Sequence, residues 1–263
     1  MEVLVVGNTA YVDDDFCAKA FPGDHVKVVA AQEARRDESS PHASWKELLQ
    51  HLEQAYEFDR VVYLSNYLTP HTDTVGDIEL LRSVFRTCAG RRVQLLYVAG
   101  PAGAEGAADA AGRTGKGIIA HAANDLCRYY AAREGVQTKI LRVPFLYTAS
   151  AALEDPFLVP LFDACSTGSA ALQGAQDAAF PLLCAEELSV LVRRIFDSWN
   201  GNFETLDVAD AFHHTVGEVG EALQALFPGL SVAYGDSVGY ALPASDVARV
   251  RYGWFQRYDL LRD

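Results

Sequence analysis

The chain has 263 residues, of which 50% are hydrophobic and 22% charged. That composition suits a globular protein with a sizeable core and excludes a disordered chain, a collagen repeat and a disulfide scaffold. Acidic residues outnumber basic ones 35 to 22, a net charge of -13. A duplex-binding or anionic-membrane surface needs a basic excess, so the expected partners exclude nucleic acid and membrane.

No run approaches the roughly 20 apolar residues of a membrane helix. The start, Met1-Glu2-Val3-Leu4-Val5-Val6-Gly7, is acidic and only briefly apolar, unlike a signal peptide. The five cysteines (Cys17, Cys88, Cys127, Cys165 and Cys184) are scattered and odd in number, with no Cys-x-x-Cys. Reduced thiols, a cytoplasmic location and no metal site are the expectation.

Taken in order, Val3 to Gly7, His25 to Ala30, Arg60 to Ser65, Val93 to Gly100 and Thr138 to Val143 are short continuous apolar runs. Runs of this kind predict strands buried on both faces, as in a parallel sheet. Helical stretches lie between them. A first helix is predicted from about Asp13 to Phe21. Ser44-Trp45-Lys46-Glu47 reads as a capping box before Leu48, Leu49 and Leu52. Thr74-Val75-Gly76-Asp77 is a weaker box before Ile78, Leu81, Val84 and Phe85. A longer helix is predicted from about Gly117 to Glu134, with Gly135 as its stop. Strand and helix in alternation predict βαβ units and a doubly wound sheet.

Residues 151 to 177 are rich in Ala, Gly and Ser. Beyond them, Glu186 to Trp199 reads as a helix and Phe203 to Val208 as a strand. Thr215-Val216-Gly217-Glu218 is a third capping box, opening a helix that Pro228-Gly229 ends. The aromatic tail from Tyr252 to Leu260 is expected to pack on the body.

The first strand runs into Gly7-Asn8-Thr9-Ala10-Tyr11-Val12-Asp13. Strand, tight turn and helix make the place where a dinucleotide pyrophosphate meets a helix N-terminus. Here the chain resembles the extended short-chain dehydrogenase/reductase superfamily, the NAD-dependent epimerase/dehydratase branch. The resemblance continues through Val61-Val62-Tyr63-Leu64-Ser65, Leu95-Leu96-Tyr97-Val98, Asp125 to Tyr130, Ile140-Leu141-Arg142-Val143-Pro144 and Arg251-Tyr252-Gly253-Trp254. It implies a Rossmann-like α/β domain over residues 1–150. Residues 151–263 would be a mixed segment that completes the sheet and forms a reduced substrate-type lobe.

What the resemblance implies about activity is mostly negative. The family's Gly-x-x-Gly-x-x-Gly keeps only Gly7; Ala10 and Asp13 hold the other two places. The family's Tyr-x-x-x-Lys falls on Lys116 and Ala120, and no Tyr-x-x-x-Lys occurs in the chain. Its Ser or Thr falls near Ala99, Gly100 and Pro101. That family's tyrosine is the acid/base on the substrate hydroxyl, so the usual agent of proton transfer is missing. Asp13, Asp14 and Asp15 would also repel a diphosphate, by roughly 4 kcal/mol per contact at ~4 Å and a dielectric of ~20.

The expectation is a catalytically degenerate relative without a bound dinucleotide, serving as a structural or regulatory subunit. The alternative is an atypical NAD(P)-dependent oxidoreductase or nucleotide-sugar epimerase/dehydratase, with NAD or NADP as cofactor. For it, Lys116, Tyr147 and Asn66 are the candidate acid/base groups, and Gly7, Asn8, Thr9, Ala10 and Tyr11 would hold the dinucleotide. A third reading is a sensor that binds a dinucleotide without chemistry. The resemblance also implies an oligomer, with a copy or with a relative, through helices near 74–89 and 117–134, where Tyr129 and Tyr130 offer an aromatic face.

Other patterns carry less. Gly100, Gly103 and Gly106 read as a flexible loop in an Ala-rich setting. Gly112 to Gly117 lacks the first Gly and the Ser or Thr of a phosphate loop. Arg35 and Arg36 read as a solvated pair. His213, His214 and Glu218 could suggest a metal, but beside a capping box they read as a helix start.

Overall fold

The structure is a computed structural model that describes residues 1–30, 57–65, 75–100, 115–148, 158–172, 174–209, 211–236 and 245–262. The Ser44 capping box, Arg35, Arg36, Asn66, Thr74 and the loop with Gly103 and Gly106 lie outside these residues.

The predicted apolar runs form one parallel sheet. Its strands are β1 (Glu2–Gly7), β2 (His25–Ala30), β3 (Arg60–Leu64), β4 (Gln94–Ala99), β5 (Gln137–Arg142) and β9 (Phe203–Asp207), in the order β2-β1-β3-β4-β5-β9. All five pairings are parallel. The two-residue period of a strand splits its side chains between the faces. Val3, Val5, Val62, Leu64, Leu96, Val98 and Leu141 enter one core layer. Leu4, Val6, Val61, Tyr63, Leu95, Tyr97 and Ile140 enter the other. Burying one such side chain contributes ~1.5–3 kcal/mol, so apolar runs on both faces drive the central strands inside.

Helices α1 (Asp14–Ala20) and α5 (Ala185–Asp197) cover the first face, supplying Phe16, Leu188, Leu191 and Ile195. Helices α2 (Val75–Cys88) and α3 (Gly115–Arg133) cover the second, supplying Leu81, Phe85, Cys127 and Tyr130. Gly135 ends α3 at φ 69°, a left-handed turn in which the amides of Glu134 and Val136 both reach Tyr130 O.

A third core lies in the second half of the chain. Its elements are β6 (Phe145–Tyr147), α4 (Leu158–Ser166), β7 (Ser169–Leu172), β8 (Leu182–Cys184), α6 (Val216–Leu226) and β10 (Ser231–Tyr234). Phe145, Tyr147, Phe180 and Leu223 pack together there. The Thr215 capping box is present: the Glu218 amide donates to Thr215 Oγ1 and the Thr215 amide to Glu218 Oε2.

The short helix α7 (Val247–Tyr252) leads into the tail. Trp254 is buried and its Nε1 donates to Glu187 O, while the Glu187 carboxylate accepts the amides of Arg257 and Tyr258. Phe255 and Tyr258 stay half exposed, so only part of the aromatic tail packs on the body. No helix among the described residues is long and apolar enough to cross a membrane.

Candidate functional site

In an open parallel sheet the binding crevice lies at the carboxyl ends of the strands. Here those ends carry Gly7, Ser65, Ala99 and Arg142. Gly7 sits at φ 109°, and a Cβ on it would come within 2.1 Å of Leu64 O. Only glycine fits this close approach of β1 to β3. The next amide, Asn8 N, donates to Leu64 O at 2.7 Å, which fixes the turn's exit.

The turn then closes on itself. Asn8 is buried and its Oδ1 accepts from Ala10 N. Thr9–Tyr11 makes one 3-10 turn, closed by Val12 N donating to Thr9 O. Tyr11 points into the core beside Phe16. Helix α1 starts only at Asp14, with Asp13 as its N-cap: Asp13 Oδ1 accepts from Phe16 N at 2.7 Å. Asp14 and Asp15 occupy the first helical turn, and Asp15 pairs with Lys19. Two amides that could meet a pyrophosphate, those of Ala10 and Phe16, are therefore already bonded to the chain's own side chains. The exposed Ala10 methyl replaces a hydrogen at the turn's surface.

Of the candidate acid/base groups, only Tyr147 has a described side chain. Tyr147 is buried in the third core, among Phe145, Leu182 and Val216. Lys116 lies in the first turn of α3, and its side chain is outside the described residues. At the far end of the sheet Arg142 grips Asp207 with two bonds, Nε to Oδ1 at 2.5 Å and Nη2 to Oδ2 at 3.0 Å.

Three buried groups beside the sheet, Tyr63, Cys127 and Cys184, are held in their neutral forms. Burial, then Asp77, pushes the Tyr63 hydroxyl well above its ordinary range; that hydroxyl donates to Asp77 Oδ1 at 2.6 Å. Burial raises Cys127, and burial with the Glu186 carboxylate pushes Cys184 up to about 12. Neither thiol offers a thiolate nucleophile at neutral pH. Among the described residues no group of three His, Cys, Asp or Glu could hold a metal. His214 instead bonds Asp259 through Nε2 at 2.7 Å, with both side chains buried. Reading the sequence missed this pair, because Asp259 stands 45 residues away with no local pattern to mark it.

No protein-family model matches the chain, and no curated protein matches it. Solved structures do. The UDP-glucuronic acid 4-epimerase of Bacillus cereus, in complex with UDP-glucuronic acid and NAD, is 12% identical with a TM-score of 0.69, over 99% of this chain and 96% of that one. The dTDP-glucose 4,6-dehydratase of Bacillus anthracis, in complex with NAD, is 13% identical with a TM-score of 0.71, over 98% and 92%. A GalE-like L-threonine dehydrogenase of Cupriavidus necator is 19% identical with a TM-score of 0.61, over 98% and 95%. The class they define is the Rossmann-like epimerase/dehydratase fold. The chain shares the fold of these epimerases and dehydratases, in a shorter form.

Proposed function

We propose that the chain is a catalytically degenerate short-chain dehydrogenase-like protein, a structural or regulatory subunit bound to a catalytic relative or to a second copy. The observation that carries this reading is the loss of all three catalytic positions: Lys116 and Ala120 stand where the resemblance puts Tyr and Lys, and Ala99 to Pro101 where it puts Ser or Thr. A fold outlives its site when its surface is still used, because function resides in the site and not in the architecture. The self-bonded turn from Asn8 to Phe16, with three adjacent carboxylates, supports a crevice that no longer takes a dinucleotide.

The partner surface we assign is the outer side of α2 and α3. Tyr130 is spent inside the protein, stacked on Phe85 at 4.7 Å. Tyr129 is 52% exposed and meets Tyr130 edge-on. Such an aromatic, anchored from below, is a favoured interface residue. Light scattering on the protein alone, and after co-expression with catalytically intact relatives, tests the reading. A stable dimer or mixed complex that Tyr129→Ala weakens about tenfold is expected. A monomer under both conditions, unchanged by the substitution, rejects it.

The second reading is an atypical NAD(P)-dependent oxidoreductase or nucleotide-sugar epimerase/dehydratase. The intact glycine turn at Gly7 favours it, and the epimerase and dehydratase neighbours hold NAD. Its acid/base would have to come from outside the usual set, with Lys116 or Asn66 as the candidates left after the burial of Tyr147.

A further inference from the structure

A cavity of about 530 Å3, lined by none of the residues of the Gly7 turn, opens between the loop after β9, the start of α7 and the tail. We propose that it binds a small organic cation, an amine carried on an apolar or aromatic body. This inference is independent of whether the Gly7 crevice holds a dinucleotide.

The walls are fixed before any ligand arrives. Phe180 N donates to His214 O, Val216 N to Ala178 O and Ala211 N to Gln256 Oε1, while Gln256 Nε2 donates to Leu182 O. Trp254 is held by its own bond to Glu187 O. Pre-formed walls spare a ligand the cost of ordering them. The volume lies within the range of small-molecule sites, and the lining is mainly apolar, with Pro181, Val208, Ala248, Trp254 and Phe255.

The polar groups decide the class of ligand. Asp246 pairs with Arg249 at 3.7 Å, so those charges offset each other. His214 is committed to Asp259. Asp177 lines the cavity and makes no hydrogen bond or ion pair among the described residues, which leaves one uncompensated carboxylate there. His213 lines it too, likewise without a hydrogen-bond partner, and sits at φ 56°. It is the only non-glycine residue at positive φ among those described. Such a strained conformation persists only where the surroundings impose it. Here His214, anchored at both its carbonyl and its ring, imposes it and turns His213 to the cavity. A lone carboxylate, an imidazole and an aromatic wall together match an ammonium group on an apolar body.

Calorimetric titration of the full chain with phenethylamine tests the site, with phenethyl alcohol and phenylpropionate as neutral and anionic controls. Saturable binding of the amine is expected, weaker for the alcohol and weakest for the anion. Asp177→Asn, a change at an exposed residue, should weaken the amine by about fivefold. Ala179→Phe, which fills the cavity, should abolish binding while thermal melts stay unchanged. No saturable binding by any probe, equal binding of amine and anion, or binding that survives both substitutions would overturn the proposal.

Discussion

Arg142 and Asp207 face each other in register across β5 and β9 and share a two-pronged salt bridge. Three residues earlier in the same two strands, the buried Lys139 pairs with Glu204, and Arg251 from α7 joins that carboxylate. Strand β9 comes from the second half of the chain, so these two cross-strand pairs tie the carboxyl-terminal half onto the sheet. Asp207→Ala removes both of these charge-assisted bonds from the Arg142 guanidinium and should cost about 1.5–3 kcal/mol of unfolding free energy in urea titrations. Arg142→Met with Asp207→Leu should recover most of that loss, because an apolar pair of similar size needs no desolvated charge. A double variant as unstable as the single one would show that the pair does more than hold β9.

The Gly7 turn is the tightest point of the fold. Gly7→Ala places a methyl against Leu64 O in a backbone conformation that L side chains avoid. A loss of more than about 2 kcal/mol is expected, read as a lower thermal midpoint. An unchanged midpoint would mean that β1 and β3 part easily.

The Glu204 cluster sets a pH dependence. Burial raises the Glu204 carboxyl, but the hydrogen bonds from Lys139 and Arg251 outweigh it and leave the group below its ordinary value of 4.5. A depressed carboxyl stabilises the fold above its unfolded value, and that stability fades as pH falls through the folded value. Melting temperature should therefore drop as pH is lowered from about 6 to 3, and Glu204→Gln should flatten the drop. Glu187 works in the opposite sense. Burial raises it despite the two tail amides it accepts, so its contribution is full below the ordinary value and lost as pH rises through the folded one.

The architecture was legible in the sequence and the chemistry was not, for a physical reason. Val3 to Gly7 and Val61 to Leu64 are apolar at every position because both faces are buried, and such a run is visible without any partner. The Thr215 box and the stop at Gly135 are also local, and both stand where expected. The His214–Asp259 pair, the Lys139–Glu204–Arg251 cluster and the stacking of Tyr130 on Phe85 join residues 45 to 112 positions apart, and nothing local announces them. His213 and His214 were visible as neighbours, yet their different roles come from Asp259 and from a backbone angle.

The carboxylates of the first turn can be tested directly. Ala10→Gly with Asp13→Gly removes the exposed methyl, the nearest negative charge and the side chain that occupies Phe16 N. Replacing an aspartate cap by glycine costs only a few tenths of a kcal/mol, so the helix should survive. Dinucleotide affinity of the double variant should rise at least about tenfold, one charge repulsion being worth several kcal/mol at close range. An unchanged affinity, measured by fluorescence of bound NADH, would mean that the crevice is closed for another reason.

The central claim is that this fold has kept its shape and given up its cofactor. Calorimetric titration of the purified chain with NADH and with NADPH tests it most directly, at concentrations up to the millimolar range. The account predicts heats no larger than dilution for both and no turnover of nucleotide sugars in their presence. Saturable micromolar binding of either dinucleotide, with its pyrophosphate seated on the turn from Gly7 to Asp13, would contradict it.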